Sequence, residues 1–384
     1  MAAPQNKPLV VLAAGGTGGH VFPAEALAAE LIGRGFHLVL VTDRRGGNLK
    51  GRLAELETYK VRAGGVSGKS LFSIFFSIFE IVIGTLEAWL LIRRLKPVVA
   101  VGFGGYASVP TMLAAVCSGT KAALHEQNAV LGRGNLLLAN WVKKIATSFE
   151  EVTSIPQTSK PNIVVTGMPV RPAVILVRDR AYPDLGPNDN IHLVVFGGSQ
   201  GAHIFSTVVP GALKYIDEGL RKRIKVTQQS RPEDLERTEE AYRALGVDAE
   251  ISSFFNDIPD RIANAHLVIC RSGASTIAEI TTIGRPAIMV PYFYAVDDHQ
   301  SRNAHAVCEV GGGWVIPEVS FTDHVLAGRI ESLFSIPKIL ENAAAASKVV
   351  GKPDAAGDLA DMVVGLILND LNEDQRRSHE RLTS

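Results

Sequence analysis

The sequence predicts an α/β protein of two domains, each built on a parallel β-sheet. Near its start, the apolar run 8–14, the glycine-rich loop 15–20 and the helix-like run 22–34 follow one another as strand, loop and helix. The same order recurs at 98–106 and begins again at 191–202. A chain of 384 residues with 46% apolar residues is long enough to form two cores.

The first half of the chain alternates strands and helices. On the predicted helix from Phe22 to Arg34, Leu27 and Leu31 lie four residues apart and share one face. Further buried strands are predicted at 37–42, 98–101 and 122–124. Because the carboxyl ends of parallel strands meet at one edge of a sheet, we expect the loops after these strands to face one crevice.

A proline-rich segment, residues 150–190, separates the two halves and contains one short predicted strand at 162–166. We interpret it as the connection between the domains. Beyond it, strands are predicted at 191–196, 225–227, 250–252, 267–270 and 287–290. A helix is predicted from about Ala274 and another over 355–368, and the charged tail from Asn369 is expected to be solvated.

Charge and cysteine content exclude several classes of protein. Lys plus Arg and Asp plus Glu both number 39, so no overall positive field attracts nucleic acid, and no nucleic-acid partner is expected. The cysteines, Cys117, Cys270 and Cys308, lie far apart and give no zinc-binding pattern. No signal peptide is recognised at the N-terminus, which predicts a cytoplasmic protein.

The first glycine loop, Gly15-Gly16-Thr17-Gly18-Gly19-His20, predicts an anion site. Glycines let the backbone approach a ligand closely, and the free N–H groups of the following helix favour a phosphate or diphosphate. The third glycine of the dinucleotide fingerprint is missing, since Val21 stands in its place, so NAD binding is not supported. His20 ends the loop, where it would either cap the turn or act as a general base.

A second predicted anion site follows the strand that ends at Cys270. Its residues are Arg271-Ser272-Gly273-Ala274-Ser275-Thr276, and Glu279 lies one turn further on. Helix-start amides and hydroxyls suit a diphosphate, and a carboxylate can accept two hydrogen bonds from a ribose diol. The alternative is that Glu279 is an ordinary acidic residue in the first turn of a helix and binds no ligand.

Several motifs together resemble those of the MurG family of bacterial glycosyltransferases. They occur in the family's order between about residues 9 and 315, and they are Gly15-Gly16-Thr17-Gly18-Gly19-His20-Val21-Phe22-Pro23, Gly104-Gly105-Tyr106, His125-Glu126-Gln127-Asn128, Gly197-Gly198-Ser199-Gln200-Gly201-Ala202 and Cys270-Arg271-Ser272-Gly273-Ala274. The combination is highly specific.

The resemblance implies a GT-B fold, in which two Rossmann-like domains face a central cleft. On this basis residues 1–165 form an acceptor- and membrane-binding domain, 166–190 a hinge and 191–345 a UDP-GlcNAc-binding domain. Residues 346–384 supply a C-terminal helix that returns to the first domain, followed by the charged tail.

The activity implied is transfer of N-acetylglucosamine from UDP-GlcNAc to the C4 hydroxyl of the MurNAc of lipid I, the undecaprenyl-linked acceptor. The product is lipid II, used in peptidoglycan synthesis and hence in cell shape and division. The reaction would be a single inverting displacement. No cofactor is implied, and no Asp-x-Asp motif lies at a loop to hold a metal ion.

Site residues are carried over by the same resemblance. Donor contacts are implied for Thr17, Gly18, Gly19, Asn128, Arg171, Ser199, Phe254, Phe255, Ala274, Ser275, Thr276, Glu279 and Gln300. Acceptor contacts are implied for Gly15, Gly16, Gly104, Gly105 and Tyr106. His20 is the candidate general base, with Glu126 in reserve.

The chain departs from the family pattern at two positions. Met168 stands where the family often has asparagine, which leaves Arg171 in place. His299 stands where some members have a second glutamine, so the role of His299 is open although that of Gln300 is not.

Other functions remain as alternatives. A UDP-GlcNAc 2-epimerase or a diacylglycerol glycosyltransferase would share the fold. A P-loop NTPase is suggested by residues 63–70, Ala-Gly-Gly-Val-Ser-Gly-Lys-Ser, but the preceding residues 59–62 alternate like a half-exposed strand. A membrane-binding module without turnover would leave the clustered loops and His20 unexplained.

The apolar stretch 71–92 predicts contact with a membrane. It is long enough to span a bilayer, but Glu80 and Glu87 interrupt it, which favours a surface helix packed inward on one side. Lys69, Arg93, Arg94 and Lys96 flank it and are able to meet anionic head groups. We therefore predict a peripheral protein on the cytoplasmic face of the bacterial inner membrane; a wholly buried core helix is the alternative.

Overall fold

The computed structural model describes residues 7–15, 18–44, 51–64, 71–198 and 201–368, except for the side chains of residues 51 and 71–74. The chain divides into two compact units. The first contains residues up to Pro169 together with those from Asp354 onward, and the second is Val170–Pro353. Each unit is built on one parallel sheet.

The first unit contains a seven-stranded sheet in the order β3-β2-β1-β4-β5-β6-β7, and every neighbouring pair is parallel. Its strands are β1 Leu9–Ala13, β2 His37–Asp43, β3 Glu57–Val61, β4 Val99–Gly102, β5 Lys121–Glu126, β6 Lys144–Thr147 and β7 Ile163–Val165. The strand order reverses between β1 and β4. In open α/β sheets, ligands bind outside the carboxyl ends of the strands at such a switch point.

Helices cover both faces of the first sheet. They are α1 Gly18–Gly33, α2 Leu71–Leu95, α3 Gly105–Cys117, α4 Arg133–Leu138 and, at the end of the described chain, the helix 355–368, called α14 below. Val10 and Leu12 of β1 point to a core shared with α1 and α14, whereas Val11 and Ala13 point to a core shared with α2 and α3. The alternation of side chains along a strand therefore divides the helices between two layers.

The second unit repeats the plan with six strands in the order β10-β9-β8-β11-β12-β13, again all parallel. Its strands are β8 Ile191–Phe196, β9 Ile224–Gln229, β10 Asp248–Ser252, β11 Leu267–Cys270, β12 Ala287–Met289 and β13 Gly313–Val315. The switch point falls between β8 and β11. The helices are α5 Pro172–Val177, α6 His203–Leu213, α7 Glu218–Arg223, α8 Leu235–Ala244, α9 Ile258–Ala263, α10 Ala274–Ile283, α11 His299–Glu309, α12 Asp323–Ser335 and α13 Pro337–Val350.

Short 3₁₀ helices complete both units. They are Gly51–Glu55 and Gln157–Asn162 in the first unit, and Pro232–Asp234, Val296–Asp298 and Glu318–Ser320 in the second.

The predicted fold class, with two parallel-sheet units, is confirmed. Three local predictions differ from the structure. Helix α1 begins at Gly18 rather than Phe22, and β5 extends to Glu126, so that His125 and Glu126 are strand residues. Strands β6 and β13 were not predicted.

Helix α2 buries a face on which small residues predominate. Its inner face, Ser77, Gly84, Ala88 and Ile92, is buried. A Cβ added at Gly84 would lie 1.8 Å from the Arg62 carbonyl oxygen, so the backbones are in direct contact there. Glu87, on the same helix, accepts the Arg62 N–H at 2.9 Å and forms ion pairs with the Arg44 and Arg62 guanidinium groups.

Helix α2 exposes its large apolar residues. Its outer face consists of Phe75, Phe76, Ile78, Phe79, Val82, Leu86 and Leu90. The exposed fraction of the residue is 71% for Phe75 near the start of this face and 59% for Leu90 at its end. By length and composition alone, the segment Phe75–Leu95 would be able to cross a membrane, and 28% of the apolar window is buried.

Candidate functional site

His20 lies at the carboxyl edge of the first sheet, in the first turn of α1. Its ring contacts the loop that follows β4, where Gly104 and Gly105 have φ angles of +82° and +69°. A Cβ at Gly105 would lie 3.2 Å from both Nε2 and Cδ2 of His20, and one at Gly104 would lie 3.5 Å from Cε1. Glycine is thus required at both positions by backbone conformation, and a side chain at position 105 would press against the imidazole.

Gln127 connects His20 to the interior of the first unit. Its Oε1 lies 3.0 Å from His20 Nδ1. Its Nε2 donates toward the Phe103 carbonyl oxygen at 2.9 Å and lies 3.0 Å from both the carbonyl oxygen and Nδ1 of His125. The sequence motif contained Gln127, but no role was predicted for it.

His125 is fully buried on β5, where its Nε2 lies 3.3 Å from the Gly167 carbonyl oxygen. Burial lowers the pKa of His125 to about 4, although the hydrogen bond to Gly167 opposes this shift. The imidazole is therefore neutral at pH 7.

Glu126 supports the neighbouring loop. Its Oε1 accepts the Asn128 N–H at 3.0 Å, and its Oε2 accepts the Gly132 N–H at 2.9 Å and the Asn135 Nδ2–H at 2.8 Å. The residue is only 2% exposed. These contacts fit a carboxylate that holds the residues after β5 in place.

The other first-unit candidates lie along the same edge. Gly15 follows β1, and a Cβ there would lie 2.7 Å from Thr42 Oγ1. Gly18 and Gly19 begin α1, and Tyr106 lies in the first turn of α3. Gly16 and Thr17 lie outside the described residues.

In the second unit, the corresponding switch point carries the loop after β8. A Cβ at Gly197 would lie 2.3 Å from the Ala202 amide nitrogen, and Gly198 and Gly201 have positive φ angles. The loop therefore depends on glycine, as the motif predicted. Ser199, which was assigned a donor contact, lies outside the described residues.

The first turn of α10 provides the predicted anion site of this unit. Gly273 precedes the helix, and Ala274, Ser275 and Thr276 form its first turn, where backbone N–H groups have no partner within the helix. The Asn303 amide donates to the Ser272 carbonyl oxygen at 3.1 Å and so fixes the approach to the helix.

Glu279, one turn into α10, is bound by Arg171. The Arg171 Nε and Nη2 donate to Oε1 and Oε2 of Glu279 at 2.7 and 2.8 Å. The Glu279 carboxylate raises the pKa of Arg171. Sequence reasoning gave the two residues separate donor contacts and did not predict that they pair.

Phe254 and Phe255 follow β10 and differ in environment. Phe254 is 68% exposed, whereas Phe255 is buried beneath Arg261, whose guanidinium carbon lies 4.3 Å from the ring centroid. Arg261 is in turn paired with Glu250 and Asp257. One aromatic ring is thus free to stack on a planar ligand, and the next anchors the turn.

The loop after β12 is held by a partly buried ion pair that was not predicted from the sequence. Arg271 donates from Nη1 and Nη2 to Glu318 at 3.0 Å and from Nη1 to the Val290 carbonyl oxygen at 3.1 Å. Glu318 also accepts the Phe293 N–H at 2.8 Å. Burial opposes ionisation of Glu318, but these hydrogen bonds lower its pKa overall.

Gln300 lies at the start of α11, and its Oε1 accepts the Tyr292 N–H at 2.9 Å. The Nδ1 of His299 lies 2.7 Å from the Val296 carbonyl oxygen. His299 therefore closes the turn between the 3₁₀ helix Val296–Asp298 and α11. Asp297 and Asp298 in that turn have φ angles of +53° and +52°, which are uncommon for residues other than glycine.

Two further questions from the sequence concern metal binding and the loose P-loop pattern. Within the described ranges, no three His, Cys, Asp or Glu side chains are grouped so as to hold a metal ion. The loose P-loop pattern follows β3, which is the edge strand of the first sheet, and residues 65–70 of that pattern lie outside the described residues.

Comparison with known proteins agrees with this architecture. The model of the glycosyltransferase family 28 N-terminal domain matches residues 10–147, and that of the C-terminal domain matches residues 192–359. The chain therefore belongs to glycosyltransferase family 28.

More specific relatives cover nearly the whole chain. A protein of Paramagnetospirillum magneticum is 53% identical over 95% of this chain and 98% of its own length. A protein of Rhodospirillum rubrum is 51% identical over 93% of this chain and 92% of its own length. Both are named UDP-N-acetylglucosamine–N-acetylmuramyl-(pentapeptide) pyrophosphoryl-undecaprenol N-acetylglucosamine transferase. The crystal structure of Acinetobacter baumannii MurG is similar with a TM-score of 0.78 at 27% identity, over 93% of this chain and 99% of that one. Within family 28, the chain is a member of the MurG family, as its motifs predicted.

The buried His125 predicts a pH dependence of stability. Its pKa is about 4 in the folded chain, against 6.5 for an ordinary histidine. Between these values the unfolded chain binds a proton that the folded chain does not, so the free energy of unfolding falls as pH falls. In His125→Phe, we expect the loss of stability between pH 7 and pH 4 to be smaller by on the order of 3 kcal/mol.

Urea titrations of both proteins at the two pH values would measure this difference. Met112→Leu, a substitution of another buried residue in the same unit, is the control and should keep the pH dependence of the parent. The same loss of stability in His125→Phe as in the parent would contradict the prediction.

Proposed function

We propose that this protein transfers N-acetylglucosamine from UDP-GlcNAc to the C4 hydroxyl of the MurNAc of lipid I and so forms lipid II. The observation that carries the proposal is His20, at the switch point of the first sheet, in a chain whose relatives are named for this transfer. A transfer assay with UDP-GlcNAc and a lipid I analogue tests it directly.

His20 acts as the general base in this proposal. Its Nε2 accepts the proton of the acceptor's C4 hydroxyl as that oxygen attacks the anomeric carbon. The bond from the anomeric carbon to the diphosphate breaks, its electron pair leaves with UDP, and the configuration inverts. Glu126 is the weaker candidate, because its oxygens already accept hydrogen bonds from the loop around it.

The second unit binds UDP. The α10 helix start, with Ser275 and Thr276, binds the diphosphate, and its dipole stabilises the charge that develops on the leaving group. Phe254 stacks on the uracil ring, and Glu279 accepts the ribose hydroxyls. Arg171 contributes to binding of both the ribose and the diphosphate, because its guanidinium group contacts Glu279 and remains partly exposed.

Attachment to the membrane is supported by the two faces of α2. The buried inner face and the contacts of Glu87 tie the helix to its own unit, which is incompatible with a helix surrounded by lipid. The outer face can enter the headgroup boundary, and the exposed Arg93, Arg94 and Lys96 at its end would each contribute about 1 kcal/mol near an anionic surface. We therefore propose peripheral attachment to the cytoplasmic face of the inner membrane.

The orientation of α2 suits a lipid-anchored acceptor. Ser77 and Gly84 of α2 contact Gly64 and Arg62, which follow β3 at the carboxyl edge of the sheet. His20 lies at the same edge. The acceptor would then reach His20 while its lipid chain stays in the bilayer.

Replacing the base should impair the chemical step. In His20→Ala, we expect kcat to fall by roughly 10²–10⁴, the usual range for a lost general base, with little change in UDP affinity. Steady-state kinetics and calorimetry would measure the two effects. The exposed His37 provides the control substitution, and near-normal turnover of His20→Ala would transfer the role of base to Glu126.

Removing the ribose acceptor should weaken binding of the nucleotide. Glu279→Ala is expected to weaken binding of UDP by about 1–3 kcal/mol, because hydrogen bonds to a charged acceptor are lost. Calorimetry would be compared with Glu239→Ala, which removes an exposed carboxylate paired only along α8 with Arg243. Unchanged UDP affinity in Glu279→Ala would count against this site.

Polar substitutions on α2 should release the protein from vesicles. The triple substitution of Phe75, Phe76 and Phe79 by serine is expected to reduce binding to anionic vesicles in a flotation assay while UDP binding is retained, because all three side chains are exposed. Serine substitutions at Leu176, Val319 and Val349, exposed in the second unit, form the matched control. Vesicle binding that equals that of the parent would contradict membrane attachment through α2.

A further inference from the structure

We propose that Gln127 is a positioning residue that fixes the tautomer of His20, with the proton on Nδ1 and the lone pair on Nε2, and that His125 and Gly167 fix Gln127 in turn. The inference rests on the proposed role of His20 as base. It is carried by a continuous series of hydrogen bonds from a main-chain carbonyl to the catalytic ring.

The series begins at the Gly167 carbonyl oxygen, which can only accept. His125 Nε2, 3.3 Å away, must therefore carry a proton. His125 is neutral in its buried position, so its Nδ1 has a lone pair. The main chain thus determines the tautomer of His125.

Gln127 then has one favourable orientation. Its Nε2 faces three acceptors, namely the Phe103 carbonyl oxygen and both the carbonyl oxygen and Nδ1 of His125. If the amide were flipped, its oxygen would face these same acceptors without a proton between them. The amide nitrogen is therefore the inner atom, and Oε1 is the atom that faces His20.

The orientation of Gln127 determines the tautomer of His20. Oε1 can only accept, so the Nδ1 of His20 at 3.0 Å donates. A neutral imidazole with a proton on Nδ1 has its lone pair on Nε2, and this is the nitrogen that borders Gly105. A side chain at position 105 would contact Nε2, so glycine there keeps the proton-accepting atom accessible.

This arrangement differs from the Ser-His-Asp triad. In the triad, a carboxylate orients the imidazole and also stabilises its positive charge. Gln127 is neutral and buried, so it orients the ring without adding a charge to the site. Its contribution is the selection of one tautomer and one ring orientation.

The tautomer can be measured without reference to activity. Long-range ¹H–¹⁵N correlation spectra of the full-length protein with ¹⁵N-labelled histidine distinguish protonation at Nδ1 from protonation at Nε2, and His20→Ala identifies the signals of His20. We expect Nδ1–H in the parent. In Gln127→Met, which removes the acceptor, we expect the Nε2–H form to appear.

Kinetics supply the second readout. Gln127→Met should lower kcat by on the order of 10- to 100-fold, by analogy with the loss found when a partner that orients a metal-binding histidine is removed. The KM for UDP-GlcNAc should stay near that of the parent. If Gln127→Met does not fold, the tautomer of His20 in the parent remains the test, because an Nε2–H form there would by itself contradict the series of hydrogen bonds.

Three results would overturn the inference: Nε2–H in the parent, an unchanged tautomer in a folded Gln127→Met, or full turnover in that variant. Failure of the proposed function is a separate result. It would appear as absence of N-acetylglucosamine transfer by the parent, whatever tautomer His20 adopts.

Discussion

The parallel pairing of the strands in both sheets is the constraint on which the candidate sites depend. Because every neighbouring pair is parallel, all carboxyl ends in one unit lie at the same edge. His20, Gly105 and Gln127 are far apart in sequence, yet the ends of β1, β4 and β5 bring them into contact. The second unit uses the same constraint to place the loops after β8 and β11 side by side.

Charged side chains then fix the loops that the sheets bring together. Glu126 holds the turn after β5, Arg271 and Glu318 hold the turn after β12, and Arg171 holds Glu279. In each case a carboxylate accepts at least two hydrogen bonds, so its charge is compensated locally.

Much of the fold could be predicted from the sequence because glycine loops and apolar runs mark the ends of strands. The motifs also located His20, Glu279 and the start of α10. The role of Gln127 could not be predicted, because an amide carries no periodic signal and its meaning depends on His125, Phe103 and His20 meeting in space. The pairing of Arg171 with Glu279 was missed for the same reason, since 108 residues separate them.

Helix α2 carries much of its apolar bulk on its exposed side. Its inner face is closed by contact between Gly84 and the main chain at Arg62, whereas the bulky residues from Phe75 to Leu90 occupy its exposed side. Most core helices accept substitutions on the outside and resist them on the inside because large side chains must interlock. In α2, Gly84 is constrained because a Cβ there would meet the Arg62 carbonyl oxygen, and the outer positions need only remain apolar. Substitutions at Gly84 are therefore limited by volume and those on the outer face by polarity, so the two sides of one helix meet different physical requirements.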